Sequence, residues 1–288
     1  MKKATDVVKD AVNGVEEVKN GLLEKIKIDP EIIIRKAIKL PGVRINRDQY
    51  LQKELSPHFA DKVVQQAIDR NPAYAGIPRD EIDPIAEKAI ALETRKVSAI
   101  SFATGIPGGL LSKPMAVTDI VQYFGFILRA TQKLAYLYGF EDLGLDAENV
   151  PDETMNQLFL FLGVVFGVQG ANEAVKKLAA STSVKVAKSM AQKPLTKGFV
   201  YPIVKRVARA LGQKMTKQVF ANGVSKVVPV VGGVITGGLS YVTYKPCMRK
   251  LKKEFRELSL SDPEVYKNQE VIIDVDYTET IDESDNSK

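Results

Sequence analysis

The sequence has one cysteine, one histidine and no tryptophan. A chain with one cysteine, Cys247, cannot form an internal disulfide, which is typical of proteins in reducing compartments. Histidine-based zinc sites need two or three such ligands, so the lone His58 argues against a zinc enzyme. Charged and apolar residues alternate near Met1 without the apolar core of a secretory signal. We therefore expect a cytoplasmic protein.

Apolar runs are shorter than a bilayer requires. Residues 158–168 form an intensely apolar run of only eleven residues, and 227–244 reaches eighteen but contains Pro229 and several hydroxyl side chains. A helix needs about 20 apolar residues to span the hydrocarbon core. We favour buried core helices for both segments, and shallow membrane insertion remains the alternative.

Motifs for nucleotide binding and catalysis are also missing. The glycines of 105–109 do not follow a clear strand, and those of 232–238 lack the Lys followed by Ser or Thr of a phosphate-binding loop. No histidine lies near Cys247 in the sequence to act as a base. The sequence therefore predicts no cofactor and no metal, and it identifies no catalytic residue.

Helical periodicity, by contrast, covers most of the chain. Predicted helices span 4–27, 30–40, 47–56, 59–68, 83–101, 115–139, 154–180, 182–191, 198–212, 214–225 and 245–258. Strand-like alternation occurs only at 271–277. We predict an all-α, multi-helix bundle with N-terminal amphipathic helices (1–44), a helical core (45–260) and an acidic tail (261–288) that we expect to be flexible.

Two groups of glycines recur at helical spacing. One group is Gly163, Gly167 and Gly170, and the other is the pair of doublets within 232–238. Missing side chains on one helix face allow a second backbone to approach closely. The sequence therefore predicts close, glycine-mediated helix packing, with the two groups as candidates to contact each other.

Positive charge is concentrated in the third quarter of the chain. The net charge is +6, yet Glu173 is the only acid between 172 and 226, whereas the tail beyond 261 is acidic. The predicted anion- or lipid-binding candidates are Lys205, Arg206, Arg209, Lys214 and Lys217. They suit phosphate-bearing partners, or they form a solvated basic face. Sparse aromatic residues and the absence of a known motif disfavour nucleic acid, and the acidic tail could compete for the same cations.

Helix 115–139 carries a polar track on an otherwise apolar sequence. Its members are Asp119, Gln122, Arg129, Gln132 and Tyr136. Such a track is buried and hydrogen-bonded, or lines a pocket, if the helix is central, and it is the wet face if the helix is peripheral. We favour the second interpretation, in which the track is the solvent-exposed (wet) face of the helix.

Three strings together resemble the EcsC family: IPGG at 106–109 followed by Asp119, LRATQKLAYLYG at 128–139, and GVSKVVPVVGGVITGGL at 223–239. The resemblance extends over about residues 45–255. The family is bacterial, and its namesake is encoded beside an ABC transporter. The resemblance thus implies a helical fold and an accessory role linked to the membrane, and it carries over no catalytic residues.

These observations favour a non-catalytic binding or accessory protein at the cytoplasmic face of the membrane. Its expected partner is an anionic membrane surface or a membrane protein complex, such as a transporter. Two alternatives remain. One is an enzyme that uses the polar track, and the other is an interaction scaffold that docks through helix 4–27.

Overall fold

The computed structural model describes residues 29–103, 117–145, 149–188, 197–214 and 238–267. The regular structure within these ranges is helical, which confirms the predicted all-α class. The α-helices are α1 (Pro30–Ile38), α2 (Arg47–Leu55), α3 (Asp61–Asp69), α4 (Arg79–Ala103), α5 (Val117–Leu137), α6 (Asp152–Val165), α7 (Ala171–Lys188), α8 (Lys197–Lys214) and α9 (Gly238–Arg256). A 3-10 turn, Ser259–Ser261, and a helical turn at 263–267 follow α9.

Local capping explains several helix starts. Asp29 accepts a hydrogen bond from the Glu31 N–H, and Pro30 occupies the first helical position of α1. Asn46 caps α2 by accepting from the Gln49 N–H. Helix α4 begins ahead of the predicted start at 83, because the Pro78 carbonyl already accepts the Ile82 N–H.

The predicted helix 154–180 is two helices. Gly167 and Gly170 have φ values of +69° and +86°, a left-handed conformation that breaks the helix after α6. The chain then turns, and α7 continues to Lys188, so residues 182–188 of the separate helix predicted at 182–191 are instead the end of α7. Of the glycine group Gly163, Gly167 and Gly170, only Gly163 lies within a helix.

Helix α5 lies at the centre of the described bundle. It contacts α1, α2, α4 and α9, while α6 packs against α7, α8 and α9. The rings of Phe140, Phe161 and Phe255 join the end of α5 to α6 and α9, with centroids 4.9–5.1 Å apart. Ile34 of α1 and Tyr266 belong to the same core. The packed unit therefore extends beyond 45–260 at both ends.

The apolar run in α6 is core. Residues 158–165 are all buried. Tyr244, the last residue of the second apolar segment, is also buried, and its hydroxyl donates to the Phe126 carbonyl. Among the helices of the described ranges, none combines the length and apolar content needed to cross a bilayer. The predictions for 4–27, 215–225 and 271–277, for the apolar segment 227–244 up to residue 237, and for the acidic tail beyond residue 267 fall outside the described residues.

Arg47 is a structural clamp at the start of α2. Its buried guanidinium donates to the carbonyls of Ala67, Ile68 and Arg70 at the end of α3, and to that of Phe140 beyond α5. These carbonyls follow or end helices, where helical hydrogen bonding leaves acceptors without partners. One side chain thus joins three elements that are distant in the sequence.

Gly163 allows α6 to approach α8 and the start of α7. A Cβ added here would lie 2.7 Å from both Ala171 Cβ and Val207 Cγ2. We expect Gly163→Ala to lower the free energy of unfolding by about 1–3 kcal/mol through overpacking, measured by urea denaturation. Adding Val207→Ala should recover part of that loss. Equal stability of Gly163→Ala and the wild type would contradict this packing.

Candidate functional site: a basic surface and a buried charge cluster

Helix α8 is amphipathic as predicted, and three of the candidate cations lie on its outer face. Lys205, Arg206 and Arg209 are exposed, whereas Val207 and Leu211 are buried against the bundle. Lys214 ends α8, but its side chain lies outside the described part of the structure, as does all of Lys217. The structure therefore brings three of the five candidates to one helix face.

An exposed aromatic ring accompanies these cations. The Tyr201 side chain is 52% exposed, and the Lys205 Nζ lies 4.5 Å from its ring centroid. This distance is within the range of a cation–π contact. A tyrosine beside lysines and arginines combines an apolar body with a polar tip, which is the residue combination found at membrane interfaces.

A fourth cation, Lys250, reaches the same region from α9. A Cβ added at Gly167 would lie 3.0 Å from the Lys250 Nζ, and one added at Gly170 would lie 3.5 Å from the Arg206 Nη1. Arg206 also donates to the Gln169 carbonyl. Lys250 and Arg206 therefore flank the same turn, 166–170. Sequence reasoning missed Lys250, because only the folded chain places it beside α8.

We define the α8 basic surface as Tyr201, Lys205, Arg206, Arg209 and Lys250. Among the described residues, none of its four cations forms an ion pair within 4.0 Å. Within the described part of the chain, no carboxylate neutralises their charge, which suits an anionic partner.

Where α9 faces α4, by contrast, the cations are paired with carboxylates. The three cations involved, Arg249, Lys252 and Arg256, pair with the three carboxylates Asp80, Asp83 and Glu87. Intramolecular ion pairs therefore neutralise the charge of Arg249, Lys252 and Arg256. Lys250 forms no such pair among the described residues. The helix predicted at 245–258 is basic in sequence, but only part of its charge faces outward unpaired.

The polar track of α5 is mainly buried. Gln132 and Tyr136 are buried and Arg129 is partly buried. Among the described side chains of the track, Gln122 is the one that is exposed to solvent. The side chain of Asp119 lies outside the described part. The wet-face interpretation is therefore wrong for this stripe, because α5 is central and most of its circumference contacts other helices.

Gln132 has a structural role within that track. Its side-chain oxygen accepts the Ile45 N–H, and its amide nitrogen donates to the carbonyls of Val43 and Leu128. The hydrogen-bonding groups of this fully buried amide are thus occupied by backbone. Gln132 holds the segment between α1 and α2 against α5.

Arg129 belongs instead to a cluster around Glu93, a residue of α4 that is 0% exposed. The Glu93 carboxylate is 3.1 Å from Arg129 Nε, 2.7 Å from Lys133 Nζ and 3.5 Å from Lys96 Nζ. Arg129 also donates to the Gly42 carbonyl. Burial alone would raise the pKa of Glu93, but the lysines and arginine lower it, so the carboxylate is ionised at neutral pH.

Tyr50 of α2 completes this Glu93 cluster, which we define as Tyr50, Glu93, Lys96, Arg129 and Lys133. The Lys133 Nζ lies 5.5 Å from the Tyr50 ring centroid. The Tyr50 hydroxyl is buried and has no hydrogen-bond partner in the described structure. Burial raises its pKa well above the ordinary value, so the phenol keeps its proton.

The sequence did not reveal this cluster. Glu93 and Lys133 look like ordinary surface charges of two separate helices, and Lys133 is not part of the predicted track. The available signal was the position of Glu93 between apolar helix positions such as Ile90 and Val97. That signal indicates burial, but it does not identify partners on another helix.

The described residues show no arrangement suited to a metal ion. They contain no group of three or more His, Cys, Asp or Glu side chains placed to hold one. His58 is exposed beyond the end of α2, and Cys247 is partly buried in α9.

Comparisons with protein-family models, with curated proteins and with solved structures gave no significant match. The resemblance to the EcsC family accordingly stays a prediction from the sequence strings.

Proposed function

We propose that this chain is a non-catalytic binding or accessory protein that attaches peripherally to anionic lipid at the cytoplasmic face of the membrane. The observation that carries the proposal is the α8 basic surface, where four exposed cations, none paired with a carboxylate among the described residues, adjoin an exposed tyrosine. Phosphate-bearing headgroups supply the complementary negative charge. A membrane protein complex surrounded by anionic lipids is also a compatible partner.

The energetics of such a surface suit reversible attachment. Each Lys or Arg near an anionic leaflet contributes about 1 kcal/mol, so four cations supply about 4 kcal/mol. This attraction weakens as added salt shortens the Debye length. Three of the four cations lie on α8 and the fourth, Lys250, lies on α9, so the complete surface depends on the folded chain.

The enzyme alternative has less support. Gln132 of the polar track is fully buried and occupied by backbone hydrogen bonds. A catalytic group must reach a substrate, whereas these polar atoms are already paired with protein atoms. The scaffold alternative depends on helix 4–27, which lies outside the described residues.

Replacing Lys205, Arg206 and Arg209 with glutamine is expected to weaken binding to anionic vesicles by about 100-fold, since about 3 kcal/mol is lost. Vesicle flotation at low salt, with phosphatidylglycerol and with neutral vesicles, measures the effect. The matched control replaces the exposed Lys39, Lys53 and Lys62 with glutamine, which removes the same charge elsewhere. Equal weakening by both triple variants, or no binding by the wild type, would reject the proposal.

A further inference from the structure

We propose that the Glu93 cluster is a binding site for a phosphoryl oxyanion, held by Lys133, Arg129 and Lys96 and by the Tyr50 hydroxyl. This site is separate from the α8 basic surface. It shares no residue with that surface.

The first argument is the charge balance. Three cations lie within 3.5 Å of a single carboxylate, which leaves an excess of two positive charges. The Lys133 side chain is only 8% exposed, so water screens its charge poorly. Glu54, another carboxylate close enough to affect Tyr50, already pairs with Lys88 at 3.6 Å. An additional anion would balance the excess.

The second argument is the unpaired hydroxyl of Tyr50. A buried phenol O–H without an acceptor is unfavourable, and such groups in folded proteins usually have a partner. Lys133 lies over the same ring. An oxyanion that accepts from Lys133 can accept from Tyr50 as well, which would satisfy both donors with one ligand.

The third argument concerns access and ligand class. The side chains of Arg129 and Lys96 are 20% and 42% exposed, so one side of the cluster reaches solvent. Two uncompensated charges match a phosphate dianion. After its bond to Glu93, Lys133 retains two N–H donors, and with Tyr50 and Lys96 the cluster offers more donors than a carboxylate's two oxygens use.

Tyr50→Phe is the decisive variant because it deletes one oxygen and no packing atoms. Without phosphate we expect its melting temperature to equal or exceed that of the wild type, since the hydroxyl has no partner to lose. With inorganic phosphate we expect the wild type to gain more than the variant. Isothermal titration calorimetry should show about tenfold weaker phosphate binding by Tyr50→Phe.

Chloride at matched ionic strength controls for screening, and the comparison between the two proteins controls for the general stabilising effect of phosphate. The triple glutamine variant of α8 should keep the full phosphate response, which separates this site from the basic surface. Vesicles containing phosphatidic acid form the second arm. An effect of Tyr50→Phe on these vesicles, with no response to free phosphate, would identify a lipid phosphomonoester as the source of the phosphoryl group. Identical behaviour of Tyr50→Phe and wild type in both arms would overturn the proposal.

Discussion

Arg47→Ala is expected to lower the free energy of unfolding by about 3–5 kcal/mol, and the variant should be only marginally folded. The substitution leaves the carbonyls of Ala67, Ile68, Arg70 and Phe140 without their donor. Each buried acceptor that loses its partner costs about 1–3 kcal/mol, and water entering the vacated space offsets part of the sum. Urea denaturation followed by circular dichroism measures the change.

Arg44→Ala is the matched control for this experiment. Arg44 is exposed and its side chain makes one described hydrogen bond, to the Ile38 carbonyl. We expect a change of less than about 1 kcal/mol for this variant. If both arginine variants lost similar stability, the clamp would not be the cause.

Glu93→Gln is expected to cost about 3–5 kcal/mol at neutral pH. The amide is nearly the same size as the carboxylate, but it leaves Lys133 and Arg129 in a partly buried position without a counter-charge. Breaking a buried ion pair by removing one partner is strongly destabilising for that reason. The measurement is urea denaturation at pH 7.

The pH dependence provides an independent check. The folded-state pKa of Glu93 is lowered, so its ionised form stabilises the fold above the unfolded pKa of about 4.3, and this contribution is lost as the pH falls through the folded value. The stability difference between wild type and Glu93→Gln should therefore stay constant from pH 6 to 8 and shrink below about pH 4. A difference that persisted undiminished at pH 3 would contradict the ion-pair explanation.

Glu87→Gln is the control on the same helix. Glu87 also faces two cations, Arg249 and Lys252, but these pairs are partly exposed. Exposed ion pairs contribute about 0–1 kcal/mol, so we expect a correspondingly small change. The contrast between positions 87 and 93 isolates the effect of burial.

Local sequence patterns predicted most helices but not all of their ends. The helical periodicity of 30–40, 47–56 and 198–212 is a local property, and the structure confirms those elements within one or two residues. The break at 166–170 was missed because glycines at 163, 167 and 170 fit a helical ridge equally well. In the structure the second and third of them adopt the left-handed conformation, and α6, α7 and α8 pack against one another around the break.

The candidate sites, like the helices, were predicted from the sequence only in part. Clustering of cations near Lys205 in the sequence predicted part of the α8 basic surface, because residues on one helix share a face at fixed spacing. Lys250 could not be predicted, because it comes from α9. The wet-face interpretation of α5 failed because a helix pattern shows which residues share a stripe, but not how many neighbouring helices cover it.

The sequence by itself determined the helical class, the amphipathic face of α8 and the segregation of charge, since each depends on residues a few positions apart. The tertiary structure decided which charges are neutralised. Glu93 meets Arg129 across 36 positions and Lys133 across 40, and Arg249 meets Glu87 across 162. Ion pairing depends on distances in space, and the packing of α4 against α5 and α9 sets those distances.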